Sequence, residues 1–197
     1  MHTVARYIGW IAAGAVAGVA AFGSASAASM EERLQAVEDR LAIEKLMVGE
    51  YPLALDRRLW KDYANTFTED GELVQGKNVT KGRAAIEKLF STPRPPRPPA
   101  DGQPATPRPP PPPAGEFGAT KHVVTNINLT LDGDKATSTA YWQTIATRAG
   151  GGTVVAGAGH YVDSLKKVNG QWKFSRREIV NPARPDAVGA PPPQPAR

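Results

Sequence analysis

The histidines are the natural starting point, because imidazole takes and gives protons near neutral pH. The chain has 197 residues and three histidines, and only His122 and His160 lie beyond its first 27 residues. His122 opens a strand-like run, and Asp56 closes a helical region. A helix end and a strand beginning can meet at the mouth of a pocket in an α+β fold. There, a carboxylate bonded to one ring nitrogen would fix the tautomer and raise the basicity of the other nitrogen.

Residue types alone leave other interpretations open. Asp56 could be a surface residue of a helix C-terminal turn and His122 a hydrogen-bonded structural histidine, since no spacing rule links positions so far apart. His160 adjoins Tyr161 in a strand with small residues at 157–159. Successive strand residues point to opposite faces, so only one of the two can face a pocket, and we favour Tyr161. No metal site is predicted, because the chain lacks cysteine and any His-x-x-x-His or EF-hand spacing.

The elements that would position these groups begin with helices. Residues 30–57 follow a helical period, with Ser29 as a candidate N-cap and Pro52 predicting a kink near 50–51. We expect one buried apolar stripe in this region, formed by Leu34, Val37, Leu41, Ile43, Leu46, Met47, Tyr51, Leu53 and Leu55. Two shorter helices and a short strand are predicted next, at 59–67, 83–90 and 72–75.

Turn signals divide the second half of the chain into long strands. Asn169-Gly170 is a strong hairpin signal, because both residues tolerate the positive φ of a type I′ turn. Asp132-Gly133-Asp134 and the glycines at 150–152 are two further turns. We therefore predict a four-stranded antiparallel meander and one α+β domain whose curved sheet folds over the helices. The predicted strands are 121–131, 135–148, 153–167 and 171–180.

The ends of the chain and one internal stretch depart from this pattern. Residues 1–27 have the layout of a secretory signal peptide, with an apolar run too short for the roughly 20 residues of a spanning helix and a small-residue cleavage site at Ala25-Ser26-Ala27. We expect a periplasmic or secreted protein; an uncleaved membrane anchor is the alternative. Residues 92–115 form a proline-rich insert, either solvated or a docking ligand, and 182–197 form a disordered proline-rich tail. The domain itself is predicted over 28–181.

Charge excludes one class of partner. The net charge of +5 is modest and dispersed, and the sequence has neither a basic helix nor a basic stripe interleaved with aromatic residues. Nucleic acid is therefore not an expected partner. A membrane is expected only through an uncleaved signal segment.

Residues 36–180 resemble the SnoaL-like branch of the NTF2-like superfamily. The resemblance implies an NTF2-like cone, with N-terminal helices packed in a curved antiparallel sheet of about four long strands plus a short strand. It also implies a homodimer that pairs through the outer sheet face. The matching motifs are Tyr51-x-x-Ala54-x-Asp56, Phe67-x-x-Asp70-Gly71, Gly82-Arg83-x-x-Ile86, His122-x-x-x-Asn126, and Tyr161-x-Asp163 through Trp172-x-Phe174.

The resemblance also implies a role for the acid and the imidazole. Scytalone dehydratase and the hexachlorocyclohexane dehydrochlorinase of this superfamily use an Asp–His pair to remove a proton, and the matching positions are Asp56 and His122. His122 would be the general base acting on a small hydrophobic molecule, and Asp56 would orient it, without a cofactor. The candidate pocket residues are Tyr51, Trp60, Tyr63, Asn126, Tyr141, Trp142 and Tyr161.

The sequence departs from the dehydratase pattern at one strand. Where a second catalytic histidine would stand, the chain reads Thr139-Ala140-Tyr141-Trp142. The prediction is therefore a lyase or isomerase rather than a strict dehydratase. The alternative is a non-catalytic module that binds a small ligand or acts as a dimeric scaffold, since one fold hosts many functions.

Overall fold

The structure is a computed structural model that describes residues 28–92, 113–147 and 151–182. The predicted signal peptide, most of the proline-rich insert and nearly all of the tail lie outside these ranges. Within them the helices are α1 (Met30–Lys45), α2 (Tyr51–Asp56), α3 (Trp60–Asn65) and α4 (Arg83–Ser91). The strands are β1 (Phe67–Gln75), β2 (Asn78–Lys81), β3 (Thr120–Asp132), β4 (Lys135–Thr147), β5 (Thr153–Val168) and β6 (Gln171–Val180).

The predicted kink before Pro52 is present as a change of helix type. Leu46–Glu50 form a π-helical turn between α1 and α2, and the N–H of Tyr51 donates to the carbonyl of Leu46. Pro52 has no N–H to offer the Val48 carbonyl, so the regular α-helical pattern cannot continue through this point. The joint turns the end of α2, which carries Asp56, toward the sheet.

The helix α1 begins as predicted, but it does not bury a single apolar stripe. Ser29 and Glu32 form a capping box, with the Ser29 hydroxyl accepting from the Glu32 N–H at 3.2 Å. Ile43 is buried against the sheet, whereas Leu34 and Leu41 are exposed. The expectation of one buried stripe was wrong for Leu34, Val37 and Leu41, because α1 touches the domain along one side only, and for Leu53, which lies on the exposed side of α2.

The six strands form one curved sheet in the order β2-β1-β6-β5-β4-β3. The antiparallel meander from β3 to β6 is confirmed, and the turn between β5 and β6 has the expected positive φ, 50° at Asn169 and 75° at Gly170. The sheet is mixed rather than wholly antiparallel, because β1 pairs parallel with β6. Its first strand was predicted too short, and β2 was missed because its four residues are an exposed edge without alternation.

The hydrophobic core lies between the helices and the inner face of the sheet, the face that carries Trp142, Tyr161 and Phe174. The outer face carries the alternate residues, among them Tyr141 and His160, which pair across β4 and β5. Across the described residues no helix is both long enough and apolar enough to cross a membrane. A site that faces the interior of the domain lies in the space between the helices and the inner face of the sheet.

Candidate active site

The end of α2 meets the start of β3, and this contact brings Asp56 against His122. Asp56 Oδ1 lies 2.6 Å from His122 Nδ1, and the main-chain N–H of His122 donates to both carboxylate oxygens, at 3.1 and 3.2 Å. The side chain of Asp56 is 8% exposed and that of His122 is 20% exposed. The short contact assigns the ring proton of a neutral imidazole to Nδ1, which leaves Nε2 as the acceptor.

The chain that returns from the proline-rich region is fixed beside this pair. The N–H of Gly115 donates to the Arg57 carbonyl at 2.8 Å, and Arg57 Nε donates to the Gly115 carbonyl at 2.7 Å. The Gly118 N–H donates to the main-chain carbonyl of Asp56 at 3.4 Å, and the Arg57 guanidinium lies over the Phe117 ring. These contacts hold the start of β3 against the end of α2, which keeps the acid and the imidazole in register.

A cavity of about 500 Å³ opens beside His122. This volume falls within the range of small-molecule sites. His122 lines the cavity with aromatic residues from the helices and from β4 and β5, namely Tyr51, Tyr63, Phe90, Trp142 and Tyr161. The imidazole therefore opens into a cavity whose lining combines these rings with polar side chains.

Three tyrosines gather on the inner wall of this cavity. The hydroxyls of Tyr51 and Tyr63 lie 2.9 Å apart, and the ring of Tyr161 lies edge-on to Tyr51 at 5.9 Å. Burial, with Tyr51 nearby, raises the pKa of Tyr63 and of Tyr161 well above the usual value for a phenol. Both hydroxyls therefore stay protonated at neutral pH and can donate hydrogen bonds.

A buried ion pair lies behind the tyrosines. Arg177 Nε and Nη2 donate to the two carboxylate oxygens of Asp163 at 2.8 and 2.7 Å, and neither side chain is exposed. Burial alone would lower the pKa of Arg177, but the attraction of Asp163 and its hydrogen bonds raise it above its usual value. The guanidinium is a permanent positive charge, packed over the rings of Tyr51 and Tyr161 at 4.1 and 4.0 Å.

Sequence reasoning missed Arg177. Its neighbour Arg176 pairs with Glu178 of the same strand at 2.9 Å, whereas Arg177 faces Asp163 on the adjacent strand β5. The missed signal lies in the alternation. If Tyr161 faces inward, Asp163 must face inward as well, and one of two consecutive arginines on β6 then has to meet it.

Four of the seven predicted pocket residues line the cavity with His122: Tyr51, Tyr63, Trp142 and Tyr161. The other three lie elsewhere. Trp60 stacks on Phe90 with ring centroids 5.6 Å apart and is not part of the lining. Asn126 is exposed at a bulge in β3 with φ of 53°, and Tyr141 is 60% exposed because it alternates with inward-facing Trp142. Polar lining residues that were not predicted are Gln75, Asn78, Thr144 and Asn181.

His160 is the second histidine, and it does not join the site. It pairs with Tyr141 across the outer face, whereas the next residue, Tyr161, faces the cavity. The described ranges contain no group of three or more His, Cys, Asp or Glu side chains that could hold a metal ion. The titratable side chains that line the cavity are His122 and the three tyrosines, with Asp56 bonded to the imidazole.

The helices packed on a curved sheet and the cavity between them are what this family of domains would show, and the sequence identifies the family. The profile of the SnoaL-like domain matches residues 35–178, so the chain belongs to the SnoaL-like domain family. A search of curated proteins finds no match. Solved structures with the NTF2-like, cystatin-like fold do match, which confirms the fold expected from the resemblance.

Three of these structures are representative. A protein of unknown function from Mycobacterium tuberculosis is 23% identical, with a TM-score of 0.60 and 78% of each chain covered. A candidate scytalone dehydratase from Novosphingobium aromaticivorans is 26% identical, with a TM-score of 0.55 over 76% of this chain and 87% of that one. ActVI-ORFA from Streptomyces coelicolor is 19% identical, with a TM-score of 0.53 over 76% of this chain and 98% of that one.

Proposed function

We propose that this protein is a cofactor-independent lyase or isomerase that removes a proton from a small hydrophobic carbonyl compound, with His122 as the base. The observation that carries the proposal is the 2.6 Å contact between Asp56 and His122 at the wall of a cavity that also contains aromatic rings. An imidazole held in one tautomer by a carboxylate is a general base that functions near neutral pH. The candidate dehydratase at 26% identity supports the same class of reaction.

The proposed step begins at the free ring nitrogen. His122 Nε2 takes a proton from the carbon next to the substrate carbonyl, and the electrons of that C–H bond move toward the carbonyl oxygen. Asp56, bonded to Nδ1–H, stabilises the imidazolium that forms. The enolate then either expels a leaving group from the neighbouring carbon, which is an elimination, or receives the proton at another carbon, which is an isomerisation.

The phenols fit the other end of that reaction. A hydroxyl donor placed where negative charge develops lowers the barrier, because it is already oriented when the charge appears. Tyr63 and Tyr161 stay protonated, line the same cavity as His122, and have the Arg177 cation behind them. We assign them to the substrate oxygen, which gives the cavity one basic wall and one donating wall.

The place of action is part of the proposal. Residues 1–27 have the features of a signal peptide, which supports activity outside the cytoplasm. The substrate would then be a molecule that reaches the periplasm or the medium.

Proton exchange tests the proposal without knowledge of the complete reaction. A panel of β-hydroxy and β-halo carbonyl compounds is incubated in deuterated buffer, and the loss of the carbon-bound proton signal is followed by NMR. We expect His122→Ala to slow exchange by about 10²- to 10⁴-fold, the usual contribution of a general base. His160→Ala is the matched control, since it removes the outer-face histidine and should leave exchange unchanged.

Two outcomes would count against the proposal. Exchange at the wild-type rate in His122→Ala would remove the imidazole from the mechanism. Compounds that bind to the wild-type protein by calorimetry but never exchange would support the alternative, a non-catalytic small-ligand-binding module.

A further inference from the structure

The helix α1 has two apolar sides, and only one of them belongs to the domain core. Ile43 is buried in the core, and Met47 continues the same buried side into the π-helical turn. On the opposite side, Met30, Leu34, Val37 and Leu41 are 74%, 57%, 54% and 60% exposed. Single exposed apolar residues are ordinary on protein surfaces, but a continuous exposed stripe marks an interaction surface. We call these four residues the α1 stripe.

The spacing of the α1 stripe is that of a coiled-coil seam. Its members follow one another at intervals of four, three and four residues, which places Leu34 and Leu41 at a positions and Met30 and Val37 at d positions of a heptad. Val48, half exposed in the π-helical turn, is one heptad after Leu41. A seam of this kind is completed by another helix that carries the same repeat.

The charges beside the α1 stripe favour a parallel second copy of the same helix. Arg33 occupies the g position on one flank and Glu38 the e position on the other. In a parallel pair the Arg33 of each copy faces the Glu38 of the other, so the favourable contact forms twice by symmetry. In an antiparallel pair, depending on its register, Arg33 would face Arg40 or Glu38 would face itself. Only Glu31 would face an opposite charge, on Lys45.

One contact of the parallel arrangement is between like charges. Arg40, the next g position, would face Lys45 of the second copy. Arg40 is already engaged within its own helix, because its Nε lies 2.9 Å from Glu44 Oε1. That internal ion pair reduces the repulsion, and the Arg33–Glu38 contacts decide the alignment.

We propose that the α1 stripe is the interface of a homodimer, in which α1 of two copies forms a short parallel coiled coil. An isolated helix of this length would be only marginally stable. In this protein the capping box and the packing of its buried side against the domain already keep α1 helical. A membrane surface fits less well, because α1 carries five acidic and three basic residues, whereas membrane-surface helices are rich in Lys and Arg. This interface differs from the outer sheet face implied by the family resemblance.

Disulfide trapping tests the alignment directly, because the chain has no cysteine of its own. Leu34→Cys and Leu41→Cys are prepared separately in the purified full chain and oxidised mildly. In a parallel coiled coil the same position of two copies meets itself, close enough for a disulfide. We expect both variants to give a covalent dimer. Lys77→Cys, exposed in the turn between β1 and β2, is the control for random collision.

The pattern of crosslinks shows which surface forms the dimer interface. No dimer above the level of Lys77→Cys from either stripe position would overturn the proposal. A covalent dimer from Tyr141→Cys with none from the stripe would overturn it in favour of the outer sheet face. Since neither stripe residue lies at the cavity, proton exchange can fail while the crosslinks form, and the two proposals are tested separately.

A second test reverses the charges of Arg33 and Glu38 and measures the dissociation constant of the dimer. Glu38→Arg should weaken the dimer by about three- to tenfold in sedimentation equilibrium, since two exposed ion pairs become repulsive. The double variant Arg33→Glu with Glu38→Arg should return the dissociation constant to near the wild-type value. Leu34→Glu should give a folded monomer by circular dichroism and sedimentation. A wild-type dimer that Leu34→Glu leaves intact would exclude the α1 stripe as its interface.

Discussion

Two of the aspartates that pair with a basic side chain across the fold lie in contrasting surroundings. The Asp56–His122 pair lies at the wall of an open cavity, with the imidazole 20% exposed. The Asp163–Arg177 pair lies in the core, where neither side chain is exposed. The first pair contains an imidazole that lines the cavity, and the second contains a guanidinium that stays charged.

This difference in exposure suits the Asp56–His122 pair to a role in the reaction and the Asp163–Arg177 pair to a role in stability. At the cavity, Nδ1 of His122 is bonded to Asp56, and the proposed mechanism uses Nε2 for proton transfer. In the core, every oxygen of Asp163 is used, because Arg177 binds both and Ser138 donates to one of them at 3.2 Å. Tyr161 lies between the two pairs, since its ring covers the guanidinium and also lines the cavity. Substitutions at the two pairs should therefore separate stability from activity.

The largest expected effect is on stability, from Arg177→Met. This change leaves the Asp163 carboxylate buried without its cation, which costs about 3–5 kcal/mol. The measurement is the midpoint of urea unfolding. Arg176→Met is the matched control, because the neighbouring guanidinium is 40% exposed, faces outward, and should lose no more than about 1 kcal/mol.

The control for a purely electrostatic cause is a double variant. Asp163→Asn with Arg177→Met removes both charges and should be more stable than Arg177→Met alone, since no charge is left unpaired. Equal losses in the single and double variants would show that packing of the guanidinium against the rings of Tyr51 and Tyr161 matters more than the ion pair.

A change at Tyr161 should affect activity more than stability. Tyr161→Phe keeps the ring over Arg177 and removes the hydroxyl that we assign to the substrate oxygen. We expect proton exchange to slow by about 10- to 100-fold, as one donor among several is lost, while unfolding changes by about 1 kcal/mol or less. Tyr141→Phe, an outward-facing tyrosine of β4, should change neither. A Tyr161→Phe protein with full exchange activity would exclude this phenol from the reaction.

The sequence predicts the antiparallel part of the fold well, because its turns carry local signals. Asn169-Gly170 requires positive φ at both residues, and this requirement is met in the structure. The parallel contact of β1 with β6 has no comparable signal, since it joins segments about a hundred residues apart. The short edge strand β2 lacks the alternation that a half-buried strand shows.

The site was harder to predict because inward and outward positions depend on bulges. Trp142 and Tyr161 follow simple alternation into the cavity. In β3 the register shifts between Thr125 and Asn128, which turns Asn126 outward although it follows His122 at an even spacing. For helix α1 the prediction of buried residues failed for a different reason. The helix has two apolar sides, and the helical period does not indicate which of them packs against the domain.

The smallest expected effect concerns a third aspartate, which lies between the two extremes. Asp39 on α1 accepts from Trp172 Nε1 at 2.8 Å, and its Oδ1 is 2.7 Å from Lys167 Nζ. Burial alone would raise the pKa of Asp39, but Lys167 and Trp172 lower it below the usual 3.8. Its stabilising contribution is therefore complete above about pH 4 and is lost as the pH falls through the lowered folded-state pKa.

Asp39→Asn should reveal this contribution as a change in slope. At neutral pH we expect a loss of about 1–2 kcal/mol, because two charge-assisted contacts weaken. Below pH 4 the free energy of unfolding should fall less steeply in the variant than in the wild type, so the two curves converge in acid. Parallel curves would mean that the carboxylate titrates alike in the folded and unfolded chains, and the contact with Lys167 would then add nothing that depends on its charge.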